Sequence, residues 1–251
     1  MDSVDYKALL IDLDGTLIGR DELISPRVAR AVIRISRNLK VSITTGREPS
    51  DVIKFARQLG LTTPQVSDNG ALVLDPNTGE DLWRVSIDSK NARYIVDTIS
   101  RLDISFLATH TGGSVTDPSL ITHWDLTRVS ALDMEENQAD ELVAYFESRR
   151  DISVVKASLP YNGKWAVDFT KAGINKASSA RFLARLMSID TGQIIAAGDS
   201  HNDLPLLQVC GLRIAMGDAP EEIKAIADYV APSVDEDGLA IAIEEFVFQR
   251  I

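Results

Sequence analysis

The run Tyr6-Lys7-Ala8-Leu9-Leu10-Ile11-Asp12-Leu13-Asp14-Gly15 is apolar from Ala8 to Ile11 and then ends abruptly in two carboxylates and a glycine. A strand that is apolar at consecutive positions needs cover on both faces, as a strand in a parallel sheet packed between helices has. The chain continues in keeping with that. Ser25-Pro26 opens a helix, with Ser as cap and Pro in the first turn, and Val28, Val32, Ile35 and Leu39 recur at helical spacing. A second apolar strand runs from Lys40 to Thr44, and Pro49-Ser50 begins a helix that Gly60 ends. Strand, helix, strand, helix is the pattern of βαβ units.

The alternation breaks near Leu72. Asp75-Pro76-Asn77-Thr78-Gly79 marks a turn between two extended runs. Helix 89–102 then precedes short strands at 104–108 and 113–116. After a further strand near Val129, helix 136–149 precedes strands at 152–157 and 164–170. Helix followed by a strand pair reads as an α+β module with an antiparallel sheet, and Trp83, Trp124 and Trp165 are expected in its core. From Asn175 the alternation resumes, with helices at 175–188, 203–210, 220–228 and 238–248 and strands at 193–198, 212–216 and 229–230. The simplest organisation is one α/β core, residues 1–80 and 171–251, interrupted by an inserted module over 81–170.

Charge narrows the function. Lys and Arg number 26 against 37 Asp and Glu, a formal net charge of −11. Such a chain has no general attraction for nucleic acid or an anionic membrane, so any phosphate it binds must be held by a local device. The single cysteine, Cys210, forbids an internal disulfide and reads as a small buried hydrophobe. No apolar run approaches the ~20 residues that cross a bilayer, and the first apolar stretch lacks the flanks of a signal peptide. The expectation is a cytoplasmic protein, monomer or dimer.

Open α/β sheets carry their sites beyond the carboxyl ends of the strands. There the sequence places Asp12 and Asp14, then Thr44-Thr45-Gly46-Arg47, then Gly198-Asp199-Ser200-His201-Asn202-Asp203, with Lys176 at the start of the helix that re-enters the core. Four carboxylates crowded on one edge repel one another and are tolerable chiefly around a divalent cation. An all-oxygen donor set suits Mg²⁺, and no His/Cys spacing for zinc is present. Taken singly, Thr45 is equally a strand-end hydroxyl, Arg47 equally an anchor for its loop, and Asp203 also a cap for the helix beginning at Leu204. His201, His110 and His123 read as solvated or packed side chains.

Together these segments resemble the four motifs of the haloacid dehalogenase-like phosphohydrolases, in order and spacing. The insertion between the second and third motifs resembles the Cof-type branch, whose α/β cap folds over the site. Ser67-Asp68-Asn69-Gly70-Ala71, Ala215-Met216-Gly217-Asp218-Ala219 and Ala227-Asp228-Tyr229-Val230 resemble further signatures of that branch, with Asp218 where Asn is expected. The resemblance implies a Rossmann-like three-layer α/β/α core with a parallel sheet, plus an inserted α+β cap. It implies a phosphatase acting on small phosphorylated metabolites, such as sugar phosphates or phosphoglycolate. Asp12 would attack phosphorus and Asp14 would serve as general acid and then base. Mg²⁺ would be held by Asp12, Asp14, Asp199 and Asp203, and phosphate by Thr45, Gly46, Arg47, Lys176 and Asn202. A sugar-phosphate mutase using the same aspartyl phosphate is the alternative, and a non-enzymatic phosphoacceptor switch a more distant one. Substrate choice is expected in cap loops at 110–117 and 159–164.

Overall fold

Serine at the N-cap and proline in the first turn do start the first helix, where the Ser25 hydroxyl accepts from the Val28 amide at 3.2 Å. The computed structural model describes residues 4–159 and 162–251, so Pro160 and Tyr161 of the 159–164 loop lie outside the described residues. The first core segment contains β1 (Ala8–Ile11), α1 (Pro26–Ile35), β2 (Lys40–Ile43), α2 (Pro49–Gln58), β3 (Gln65–Ser67), β4 (Leu72–Leu74) and β5 (Asp81–Arg84). The inserted module contains α3 (Ser89–Arg101), β6 (Phe106–His110), β7 (Gly113–Val115), β8 (Arg128–Met134), α4 (Glu136–Phe146), β9 (Ile152–Ser158) and β10 (Trp165–Lys171). The chain then returns through α5 (Lys176–Met187), β11 (Ile194–Gly198), α6 (Leu204–Val209), β12 (Leu212–Ala215), α7 (Glu221–Ile226), β13 (Tyr229–Val230) and α8 (Gly238–Ile241), which widens into a π-helical turn over Ala242–Val247.

The core sheet is parallel, in the order β13-β12-β11-β1-β2. The consecutive apolar residues divide between its faces. Leu9, Ile11, Ile195 and Ala197 meet α1, α2 and α8, while Ala8, Leu10, Ile194 and Ala196 meet α5, α6 and α7. This is the three-layer α/β/α architecture. The register sets Ile11 beside Ile43 on one side and Ala197 on the other. The next residues of three strands therefore emerge at one level: Asp12, Thr44 and Gly198.

The inserted sheet is antiparallel, in the order β7-β6-β8-β10-β9. Its strands alternate with period two. Val129, Ala131, Val167 and Phe169 face α3 and α4 and form their own apolar cluster, whereas Arg128, Ser130 and Asp168 are buried polar residues on the alternate positions. Phe146 is its centre, fully buried and edge-on to Phe169, Tyr94 and Tyr145 at 4.7, 5.8 and 5.2 Å.

Two sequence expectations change. β5 pairs with β4, and β3 joins the core sheet through the Thr44–Val66 bridge, so Asp81–Arg84 hydrogen-bond on the core side of the proposed 80/81 boundary. Trp83 accordingly stacks on Phe182 of α5 at 5.2 Å instead of entering the cap core. A lone tryptophan carries no mark of which neighbouring layer its strand joins. Trp124 and Trp165 do pack against the cap cluster. Among the described residues no helix is long and apolar enough to cross a membrane.

Phe146→Ala is expected to destabilise the protein by about 3–5 kcal/mol, from lost transfer energy and the cavity left behind. Urea denaturation measures it, and a loss below about 1 kcal/mol would show that the aromatic cluster is not the cap's core.

Candidate active site

Three carboxylates gather where the register predicts. Asp12, Asp199 and Asp203 each offer an oxygen, and these lie within 4.8 Å of one another. Close backbone packing makes the gathering possible. Gly15 has φ +75°, and a Cβ there would stand 2.3 Å from Oδ2 of Asp199; at Gly198 a Cβ would stand 2.5 Å from Cγ of Asp203. Only glycine fits at either position.

Lys176 supplies the opposing charge. It is the first residue of α5, is 1% exposed, and donates from Nζ to Oδ1 of Asp12 at 2.5 Å and to Oδ1 of Asp203 at 2.6 Å. Its helix is started by Asn175, whose side chain accepts from the Ser178 amide. Asp203 accepts with its other oxygen from the Asp199 and Ser200 amides, both at 3.1 Å. Its expected role as a side-chain cap of α6 is not seen, because both carboxylate oxygens are committed to Lys176 and to the loop before it.

One ammonium does not balance three carboxylates. Burial first, and then repulsion from Asp203, push Asp12 from its ordinary 3.8 up to about 7 despite Lys176. Asp199 is also raised well above its ordinary range by burial and by Asp12 and Asp203. A dry, all-oxygen cluster short of positive charge fits a hard divalent cation. Asp12, Asp199 and Asp203 are the side chains positioned to hold one.

Asp14 lies outside the triad of Asp12, Asp199 and Asp203 whose oxygens gather within 4.8 Å. Its carboxylate is held by the guanidinium of Arg47, which donates Nε to Oδ2 at 2.9 Å and Nη2 to Oδ1 at 2.7 Å. Arg47 also pairs with Glu22 at 2.6 Å and Asp51 at 3.4 Å, and these carboxylates raise its pKa against the effect of burial. Arg47, expected as a phosphate contact, is thus engaged by three acids and sits as an anchor for Asp14. Thr45 is 1% exposed, and its hydroxyl accepts from the Arg47 amide at 3.1 Å. Gly46 lies against Asn69, with room for a Cβ only 3.1 Å from its Oδ1.

Above the cluster, between core and cap, is a cavity of about 710 Å³. Asn69, Asn175, Lys176, His201, Asn202 and Pro205 line it from the core, and Ser153, Val154, Val155, Lys156 and Trp165 from the cap. His201 lines this cavity while remaining 63% exposed and 3.8 Å from Glu222. Cys210 is buried as expected, which pushes its thiol up to about 12.

A strand-end acidic cluster under an inserted cap is what the sequence resemblance implied, and comparison with known proteins decides the family. The family model of haloacid dehalogenase-like hydrolases matches residues 9–124 and 117–243. The chain belongs to that family. It is 27% identical over 262 residues to a 5-amino-6-(5-phospho-D-ribitylamino)uracil phosphatase of Bacillus subtilis, covering 95% of this chain and 96% of that one. It is 25% identical over 242 residues to a phosphoglycolate phosphatase of Archaeoglobus fulgidus, covering 95% and 96%. The solved structure of a haloacid dehalogenase-like hydrolase from B. subtilis superposes with a TM-score of 0.83 at 22% identity, covering 96% of this chain and 99% of that one, and so shares the fold.

Several residues around the site were not singled out from sequence as site residues. Asn69 lines the cavity, Glu22 holds Arg47, and Asp168 donates nothing but accepts from Asn69 at 2.5 Å. The Asn69-Gly70 pair carries a usable signal, since Asn-Gly favours left-handed backbone, and Asn69 has φ 52°. Glu22 and Asp168 carry none, because a carboxylate's partner across the fold has no local signature.

The raised Asp12 gives a testable sign. Between its ordinary 3.8 and about 7 the folded chain keeps a proton that the unfolded chain releases. The stability of the cation-free protein therefore falls as pH rises through that window, and a bound divalent cation removes the loss by favouring ionised carboxylates. Thermal unfolding at about pH 5 and about pH 7.5 should show a larger cation-induced rise in Tm at the higher pH. An equal rise at both would contradict the assignment of the cation to this cluster.

Proposed function

We propose that the protein is a Mg²⁺-dependent phosphatase of small phosphorylated metabolites, such as sugar phosphates or phosphoglycolate, working in the reducing cytoplasm through an aspartyl phosphate, an acyl phosphate formed on Asp12. The observation that carries this reading is the buried Asp12 carboxylate at the end of β1, held by Lys176 beneath a roomy cavity and crowded by Asp199 and Asp203. The names of the two relatives, both phosphatases of small phosphorylated molecules, point the same way.

Uncatalysed phosphate monoester hydrolysis is extremely slow, so the catalyst must neutralise charge and aim a nucleophile in line. Mg²⁺ held by Asp12, Asp199, Asp203 and the Asp14 carbonyl would offset the negative charge of the phosphoryl group and the acids around it. Asp12 attacks phosphorus, the bond to the leaving oxygen breaks, and Asp14 gives that oxygen its proton. Asp14 then takes a proton from the water that attacks phosphorus, and inorganic phosphate departs with Asp12 restored. Lys176 orients Asp12 and adds positive charge at the phosphoryl oxygens. The Thr45 hydroxyl, the Gly46 amide and Asn202 would hold those oxygens, while Arg47 sets the position of Asp14.

Hydrolysis is favoured over a mutase by the cavity's charge. A mutase must also seat a bisphosphate, which calls for an open cationic subsite in the cap. Among the described residues lining the cavity, the cap's one cation is Lys156, and it is already paired with Asp140 at 2.5 Å and Glu136 at 3.3 Å.

Phosphate release from a panel of small phosphomonoesters, with Mg²⁺ or with EDTA, tests the reading. Release should require Mg²⁺, and Asp12→Asn should lower it by roughly 10³-fold or more while the protein stays folded. Turnover by Asp12→Asn near the wild-type rate would sink the proposal.

A further inference from the structure

The segment Asp68-Asn69-Gly70 connects β3 to β4 and touches the Thr45–Arg47 loop, the start of α5 and Asn202. Its backbone donates from Asp68 to the Arg47 carbonyl and from Asn69 to the Thr45 carbonyl, each at 3.0 Å. A Cβ on Gly70 would stand 2.3 Å from the carbonyl of Asn175, the residue before Lys176. The Asn69 carboxamide accepts at Oδ1 from Nδ2 of Asn202 at 3.3 Å. Asp68 and Asn69 both hold left-handed backbone, φ 51° and 52°, which non-glycine residues rarely adopt without a local reason.

The same segment is tied to the cap by a buried cluster of ionisable groups. Asp68 forms an ion pair with Nε of Arg128 at 3.2 Å and accepts from the Thr127 hydroxyl at 2.8 Å. Arg128 also reaches Asp168 at 3.5 Å, and Asp168 accepts from the Ser130 hydroxyl and, at 2.5 Å, from Nδ2 of Asn69. Asp68, Arg128 and Asp168 are 0%, 5% and 6% exposed. Two carboxylates and one guanidinium away from water gain little stability over an apolar joint of the same shape. What they do supply is direction, because each hydrogen bond fixes an angle as well as a distance.

We infer that Asp68, Arg128, Asp168 and Asn69 form a buried pivot that sets the tilt of the cap over the site and passes it to the Ser200–Asp203 loop, making Arg128 and Asp168 positioning residues for the acidic cluster. Asn69 is the link. Its donor end faces the Asp168 carboxylate and its acceptor end faces the Asn202 amide, so one planar group joins cap to loop. Ser200 then donates to Oδ1 of Asn202 at 2.7 Å, and its own amide rests on Asp203. A carboxylate at position 69 would oppose Asp168 with like charge and break the link, whereas exchanging the two side chains would restore a donor facing an acceptor.

The test uses the full-length protein and three variants: Asn69→Asp, Asp168→Asn, and the two combined. Hydrogen exchange is read at the amides of Asp199 and Ser200, which Asp203 holds. Each single variant should speed exchange there by about ten-fold or more, and the combined variant should return it to within about three-fold of wild type. Where the proposed phosphatase activity is present, kcat should follow the same order. A purely structural cap joint would alter exchange in the cap and at 68–70 and leave 199–200 unchanged, and that result overturns the inference. Equal acceleration in the combined variant and the worse single one overturns it as well. Should Asn69→Asp not fold, Asp168→Asn alone decides through the same amides. Absence of phosphatase activity in the wild type would count against the proposed function, while the exchange measurement would still judge the pivot.

Discussion

Lys176 joins what the insertion separates. Its ammonium belongs to the second core segment, yet it rests on Asp12 from the first and on Asp203 from the loop after β11. A fully buried lysine is tolerable only with paired acids, and buried acids in that number are tolerable only with a cation. The ion pairs therefore bind the two halves of the core together at the point where the chemistry is needed. The glycines at 15 and 198 follow from this arrangement, because any side chain there would occupy the space that Asp199 and Asp203 require. The residual imbalance leaves a cluster of three carboxylates that could hold a metal ion.

Much of this was legible because the decisive information is local. Ala8–Ile11 had to be covered on both faces, Ser25-Pro26 had to start a helix, and in a parallel sheet the residues after each strand share one edge. Asp12, Asp199, Asp203 and Lys176 do meet there. Asp14 and Arg47 were placed on the correct edge, but their mutual pairing was not foreseen. It depends on how the turn after Asp14 projects its side chain and on Glu22 and Asp51 arriving from elsewhere to share the guanidinium. The side of the domain joined by Trp83 was missed for the same kind of reason. Strand pairing across a hairpin is read easily, whereas the layer on which that hairpin lies is a tertiary matter.

The cap sheet shows how an α+β module is adapted to sit over a site. One set of alternate residues builds an ordinary apolar core with two helices. The other set, which in an isolated module would face water, instead contributes Arg128, Ser130 and Asp168 to the joint with the core. Two polar faces meet through the Asp68–Arg128–Asp168 ion pairs and the hydrogen bonds from Thr127, Ser130 and Asn69. The cavity beside this joint is lined by the carboxamides of Asn69, Asn175 and Asn202, by aliphatic side chains, and by the charged Glu136, Lys156 and Lys176.

The discontinuity of the core has a consequence for the order in which the chain can become structured. β1 lies between β2 and β11, and β11 is made more than 180 residues after β1. While the chain is being synthesised, the wholly apolar β1 therefore waits with one edge open. The inserted module, contiguous from Ser89 to Lys171, has all its strands and both its helices before β11 emerges. A unit that ends as a lid is thus in a position to form first, holding the two core segments near each other until the later strands arrive to close the sheet.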